Sequence, residues 1–129
     1  MNSMISRFSH LGLPLFRIVV SLMMLTHGWA KLMKLTAGGE IKFYNFMGLG
    51  PELSLALAVI GELIAPLLII VGFKTRYAVF PAMFTMAIAA FVVHGGDPFD
   101  EKELAVFYFI SFLMIFLAGP GAYSLDNKK

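Results

Sequence analysis

Four apolar stretches, a shortage of charge and brief polar connections predict an all-α protein, an integral membrane bundle of four transmembrane helices. Of the 129 residues, 59% are hydrophobic and 14% charged, and the mean hydropathy is +0.82. A soluble domain is nearer half apolar and a quarter charged, because it must cover its surface with polar groups. This chain lacks the charge to do so, which argues against a soluble enzyme, a disordered segment or a nucleic-acid-binding domain. A net charge of +2 makes no basic patch. With no cysteine there is no disulfide, thiol relay, covalently attached c-type haem, or thiolate-held zinc or iron–sulfur cluster. Electron chemistry would therefore need a bound cofactor or a partner protein. The length fits one domain, residues 1–129.

Crossing a hydrocarbon core of about 30 Å takes roughly 20 mostly apolar residues. Stretches at about 11–33, 52–73, 76–94 and 104–119 meet or approach that length, the last being the shortest. Arg7 before the first stretch resembles a signal-peptide n-region, but the apolar run is too long and is followed by Lys31 and Lys34 rather than small residues, so it reads as retained. Span two is followed by the tight Lys74-Thr75 turn, and span three by the polar segment GGDPFDEKE at 95–103. The longer loop from Lys34 to Pro51 carries Phe43, Tyr44, Phe46 and Met47, a cluster suited to the headgroup region, with Trp29 and Tyr44 as an aromatic belt. Gly119-Pro120-Gly121 stops span four. Four spans put both termini on one side. That side holds Arg7, Lys74, Arg76, Lys128 and Lys129 against Asp126; the other holds Lys31, Lys34, Lys42 and Lys102 against six carboxylates. Basic residues in the short turn and tail beside span ends place both termini in the cytoplasm by the positive-inside rule.

Ionisable groups inside a bilayer are expensive and face the bundle interior. Here they are Arg17, His27, Lys31, Glu62 and His94. At 100° per residue Arg17, Ser21, Met24, His27, Gly28 and Lys31 fall within an arc of about 120° on span one, an inward polar face. Glu62 lies near mid-span, with Arg17 and His27 roughly 7–8 Å to either side of the midplane on the antiparallel neighbour. Pro66 cannot donate to the Glu62 carbonyl, so the helix should bend or loosen at the carboxylate. Ala58, Gly61 and Ala65 offer a small-residue surface for another helix. Two readings stand: a structural ion pair of Glu62 with Arg17, or a proton-exchanging or ligand-binding carboxyl in an interior pocket tuned by Arg17 or His27. His94 closes span three on the same side as His27 and Lys31, at the end of a stripe with Met83, Ala87 and Ala90. A lone interfacial histidine is commonly a hydrogen-bonded boundary residue. The spacing of His27 and His94 does not match a metal or b-type haem ligand set; contact with a quinone headgroup or another polar-headed ligand fits better.

The order RIVVSLMMLTHGWAKL, FMGLGPELSLALAVIGELIAPLLIIVGFKTRYAV, a small-residue span and AGPGAYSLD resembles the DoxX family of small four-helix bacterial membrane proteins, from Arg17 to Asp126. Arg17, Gly28 and Lys31 match its first span, Gly50 the glycine before span two, and Glu62 its carboxylate. Gly72, Thr75 and Arg76 match its short turn, and Gly119, Pro120, Gly121, Ser124, Leu125 and Asp126 its terminal motif. The resemblance implies a multi-pass protein of the bacterial inner membrane. It further implies a membrane subunit or accessory of a quinone-linked oxidoreductase system without a redox centre of its own, binding a quinone or similar hydrophobic ligand near Glu62. A non-catalytic scaffold docking a partner through Asp97–Glu103, and a solute or proton transporter working as an oligomer such as a homodimer, are the alternatives. Fold alone does not choose among them.

Overall fold

The computed structural model describes residues 3–41, 43, 45–121 and 123–126, with side chains from His10 onward. Among the described residues there are four long helices and no strand: α1 (Ser3–Thr36), α2 (Pro51–Val71), α3 (Thr75–Val93) and α4 (Phe99–Ala118). They run up, down, up and down in chain order. Each packs against the next, and α4 closes back onto α1. By length and composition the segments His10–Thr36, Pro51–Val71 and Thr75–Val93 can each cross a membrane. The fourth helix adds a 15-residue apolar stretch, Leu104–Ala118, about 22 Å long at 1.5 Å per residue.

Most ends of the expected spans move by three residues or fewer, but α1 begins at Ser3, eight residues before its predicted start, and α4 also begins early. It begins at Phe99, five residues before the predicted start, so the stretch expected to be loop is helical from 99 to 103. Asp100 and Glu101 fall in its first turn, where carboxylates complement the exposed N–H groups and the helix dipole.

The core is built from one stripe of each helix. Met24 of α1, Ile69 of α2, Val79 and Ala82 of α3, and Phe112 and Ile115 of α4 are almost fully buried. The opposite faces carry large apolar side chains outward, among them Leu15, Leu67, Phe80, Phe107 and Leu117. In water such a surface would be untenable; against lipid tails it is the ordinary solution.

On the side of the chain termini the bundle is tied by its last described residues. Gly72 adopts φ 73°, ψ 37° after α2, a left-handed conformation that glycine adopts without a Cβ penalty. The Phe73 N–H reaches back to Leu68 O and the Gly72 N–H to Ile69 O, both at 3.0 Å. The segment 124–126 lies on this turn. Leu125 N–H donates to Val71 O at 3.0 Å and Asp126 N–H to Gly72 O at 2.8 Å. A Cβ on Gly72 would stand 2.9 Å from the Ser124 Cα, so the contact requires glycine on steric grounds too. The Asp126 carboxylate accepts from the Lys74 and Thr75 N–H groups at 2.6 and 2.7 Å, capping α3 from about 50 residues away in sequence. Lys74, the residue before that helix, supplies no side-chain cap of its own.

Candidate ligand-binding site

Helix α2 is not α-helical throughout. Residues Ile60–Ile64 form a π turn in which the Ala65 N–H reaches Ile60 O, five residues back. The cause is Pro66, which has no N–H for the Glu62 carbonyl and whose ring crowds it, so the helix loosens where the sequence predicted. A second π turn, Ala89–Val93, ends α3, with the His94 N–H bonded to Ala89 O at 3.0 Å. Such turns re-aim side chains and recur at functional sites. Both of these border the same space.

That space is a cavity of about 350 Å³ between α2 and α3, in the half of the bundle away from the termini. Ser54, Ala58 and Glu62 line it at four-residue intervals along α2, and Pro81, Thr85, Ala89 and Val93 do so along α3. Lys31 of α1, Phe43 and Phe46 of the α1–α2 loop, Phe84 and His94 complete much of the wall. The loop is held over the cavity by two bonds: Phe46 N–H to Ser54 Oγ at 2.9 Å and Gly50 N–H to Asn45 Oδ1 at 2.8 Å. Phe46 also meets Phe84 edge to face, their centroids 6.0 Å apart. Thus Phe43 and Phe46, expected among the lipid headgroups, line the cavity instead, because the loop folds inward onto Ser54. Tyr44 lies outside the described residues.

Glu62 is paired with Lys31, not with Arg17. Lys31 Nζ stands 2.6 Å from Glu62 Oε1, with side-chain exposures of 28% and 4%, so the pair is buried at the carboxylate end and partly open at the ammonium. The register of α1 on α2 decides the partner. Gly28, not the middle of span one, lies level with Glu62. A Cβ on Gly28 would sit 2.5 Å from the Glu62 carbonyl carbon and 2.7 Å from the Leu63 nitrogen, so the absent side chain lets the two backbones meet and brings Lys31 one turn above the carboxylate. Arg17 is eleven residues below Gly28, about 16 Å along the axis.

Arg17 does other work. Fully buried, it donates to the carbonyls of Pro120, of Ile70 at 3.3 Å and of Tyr123 at 3.0 Å. It thereby joins α1, the end of α2 and the segment after α4, satisfying carbonyls that helix ends leave open. Arg76 reinforces the same end, its Nε–H donating to Phe116 O at 2.9 Å. His27, expected to face inward with Arg17 and Lys31, is exposed on α1 and rests edge-on against Tyr108, centroids 5.8 Å apart. It does not line the cavity. The rest of the predicted polar face does point in, with Ser21, Met24 and Gly28 buried.

Of the five ionisable residues singled out from sequence, the cavity therefore gathers Lys31, Glu62 and His94. His94 Nδ1 lies 2.9 Å from Asp97 Oδ2, at an exposed rim. Small residues behave as read: Ala58 and Ala65 are buried, and a Cβ on Gly61 would be 2.8 Å from Pro81 O, so α3 packs directly on the π turn. Missed from sequence were Ser54, Thr85 and the buried Tyr108 of α4. The four-residue spacing of Ser54, Ala58 and Glu62 was the available signal for the first. Among the described residues no three histidine or carboxylate side chains converge as metal ligands would.

Fold and site together define a small multi-pass helical membrane protein in which a buried Lys–Glu pair stands in the wall of an otherwise mostly apolar cavity. Comparison with known proteins supplies the family: the chain belongs to the DoxX family, whose model matches residues 12–95. Among similar proteins, an uncharacterized protein of Haemophilus influenzae is 34% identical over 123 residues, covering 90% of this chain and 89% of its own. Inner membrane protein YqjF of Escherichia coli is 31% identical over 131 residues, 95% of this chain and 98% of its own. Inner membrane protein YphA of the same species is 31% identical over 122 residues, 87% and 86% respectively. No solved structure matches the chain significantly.

Proposed function

We propose that the cavity beside Glu62 binds the ring of a quinone or a similar lipid-soluble compound, and that the protein is the membrane subunit or accessory of a quinone-linked oxidoreductase system. The observation that carries this reading is the cavity itself: about 350 Å³, the low end of the range for small-molecule sites, apolar and aromatic in most of its wall, with a few convergent polar groups. Phe43, Phe46 and Phe84 suit a flat ring. Lys31 has ammonium protons beyond the one given to Glu62 and can donate to a ring oxygen, and His94 at the rim can meet a second polar substituent. With no thiol in the chain, its part in this reading is to hold the ring while a partner protein exchanges electrons. The names of YqjF and YphA support a bacterial inner membrane location, and Lys74 and Arg76 beside the α2–α3 turn favour cytoplasmic termini.

The test is retention. Protein extracted gently into lipid nanodiscs and analysed by native mass spectrometry should carry a lipid-soluble ring compound in substoichiometric or full amount. The Lys31→Met, Glu62→Leu double variant, which removes both charges together and so leaves no unpaired ion, should lose it. Absence of any such compound, with no added quinone bound above the level of empty nanodiscs, would overturn the reading.

A further inference from the structure

Taking the cavity as a ring-binding site, we propose that it selects a phenolic hydroxyl, and so holds the reduced, quinol form of its ligand in preference to the quinone. The argument is one of donors and acceptors. Among the described residues the Glu62 carboxylate makes one hydrogen bond, from Lys31 to Oε1; Oε2 accepts none, although the side chain is only 4% exposed and lines the cavity. Ionised carboxylates only accept and ammonium groups only donate. The deep wall therefore presents an acceptor and a donor side by side. A hydroxyl satisfies both through one oxygen, donating to Oε2 and accepting from Lys31. A quinone oxygen satisfies Lys31 alone and turns its lone pairs on Oε2.

Other chemistries fit worse. A ligand carboxylate would face Oε2 with like charge, and a ligand ammonium would face Lys31. An aliphatic alcohol has the right polar pattern but leaves Phe43, Phe46 and Phe84 without a flat partner. The two other hydroxyls in the wall are neutral and partly committed: Thr85 Oγ1 donates to Pro81 O at 2.8 Å and keeps only acceptor capacity, and Ser54 Oγ accepts from Phe46 N–H and keeps its own proton, so neither supplies the charged acceptor that Glu62 does. The selection thus rests on Glu62, with Lys31 fixing its orientation.

The experiment compares three compounds of nearly one shape, duroquinone, duroquinol and the dimethyl ether of duroquinol. Binding to the nanodisc-embedded protein is measured without oxygen, with uptake by empty nanodiscs subtracted. A hydrogen bond to a charged group corresponds to about tenfold or more in affinity, so duroquinol is expected to bind at least about tenfold tighter than both others. Glu62→Gln, whose amide can donate, should bring the quinol-to-quinone ratio to one or below. Equal or tighter binding of duroquinone to the unaltered protein overturns the selection while leaving ring binding intact. Failure of all three to bind overturns ring binding itself. The three-compound ranking decides the matter even where Glu62→Gln fails to fold.

Discussion

Replacing Gly28 by alanine tests whether the meeting of α1 and α2 sets the geometry of the site. The added Cβ would fall 2.5 Å from the Glu62 carbonyl carbon, whereas carbon atoms rest at about 3.5–4.0 Å, so the helices must part by about 1 Å. Nothing soft lies in the way, since the nearest atoms are backbone. Overpacking of this kind costs about 1–3 kcal/mol, a factor of roughly 5 to 150 in the folding equilibrium. The same displacement stretches the 2.6 Å contact of Lys31 with Glu62 beyond hydrogen-bond length, so stability and ligand retention should fall together. Equilibrium unfolding in mixed micelles of rising SDS content measures the first, and ring-compound binding the second. Gly12→Ala on the same helix is the control, because a Cβ there meets nothing within 4 Å and should be neutral or slightly stabilising. If Gly28→Ala unfolds within about 0.5 kcal/mol of the parent and binds as well, the register argument fails.

Arg17→Met should destabilise the bundle by about 3–5 kcal/mol, the range for removing one partner of a buried charged network, because carbonyls on α2 and after α4 lose their donor. Arg17→Lys should recover little of this, since one ammonium cannot reproduce the guanidinium fork; SDS unfolding measures both. Asp126→Ala removes the cap on α3 and should cost about 1–2 kcal/mol, seen as faster limited proteolysis after Gly119 with ring-compound binding to the intact chain unchanged.

Hydropathy and helical periodicity carry much of this architecture: the four helices lie where the apolar stretches put them, with only the starts of α1 and α4 falling eight and five residues early, most of the polar face of α1 points inward, and the helix loosens at Glu62 because Pro66 demands it. Register was not legible. The midpoint of an apolar run says nothing about which residue of one helix stands level with which of the next, and here the contact of Gly28 with Glu62 replaces Arg17 by Lys31 as the partner. His27 failed for a related reason, since it lies near the border of the polar arc and a small rotation of α1 turns it out against Tyr108. The π turn at 89–93 contains no proline, and nothing in its sequence announces it. An aromatic loop reads alike whether it meets headgroups or folds inward, and the contacts that distinguish the two, Phe46 N–H with Ser54 Oγ and the Phe46 ring with Phe84, are tertiary. The cap of Asp126 on α3 joins residues too far apart for any local pattern to reveal.

That last contact orders events in the life of the chain. Helices α2 and α3 can enter the bilayer as a hairpin while the ribosome is still making α4, since each satisfies its backbone within itself. The N-terminus of α3 must wait longer for Asp126, and the buried guanidinium on α1, which meets Ile70 O on α2, must wait for the Pro120 and Tyr123 carbonyls. Insertion and locking are therefore separate steps, and the second is complete only when residues 120–126 reach the Arg17 guanidinium and the α2–α3 turn.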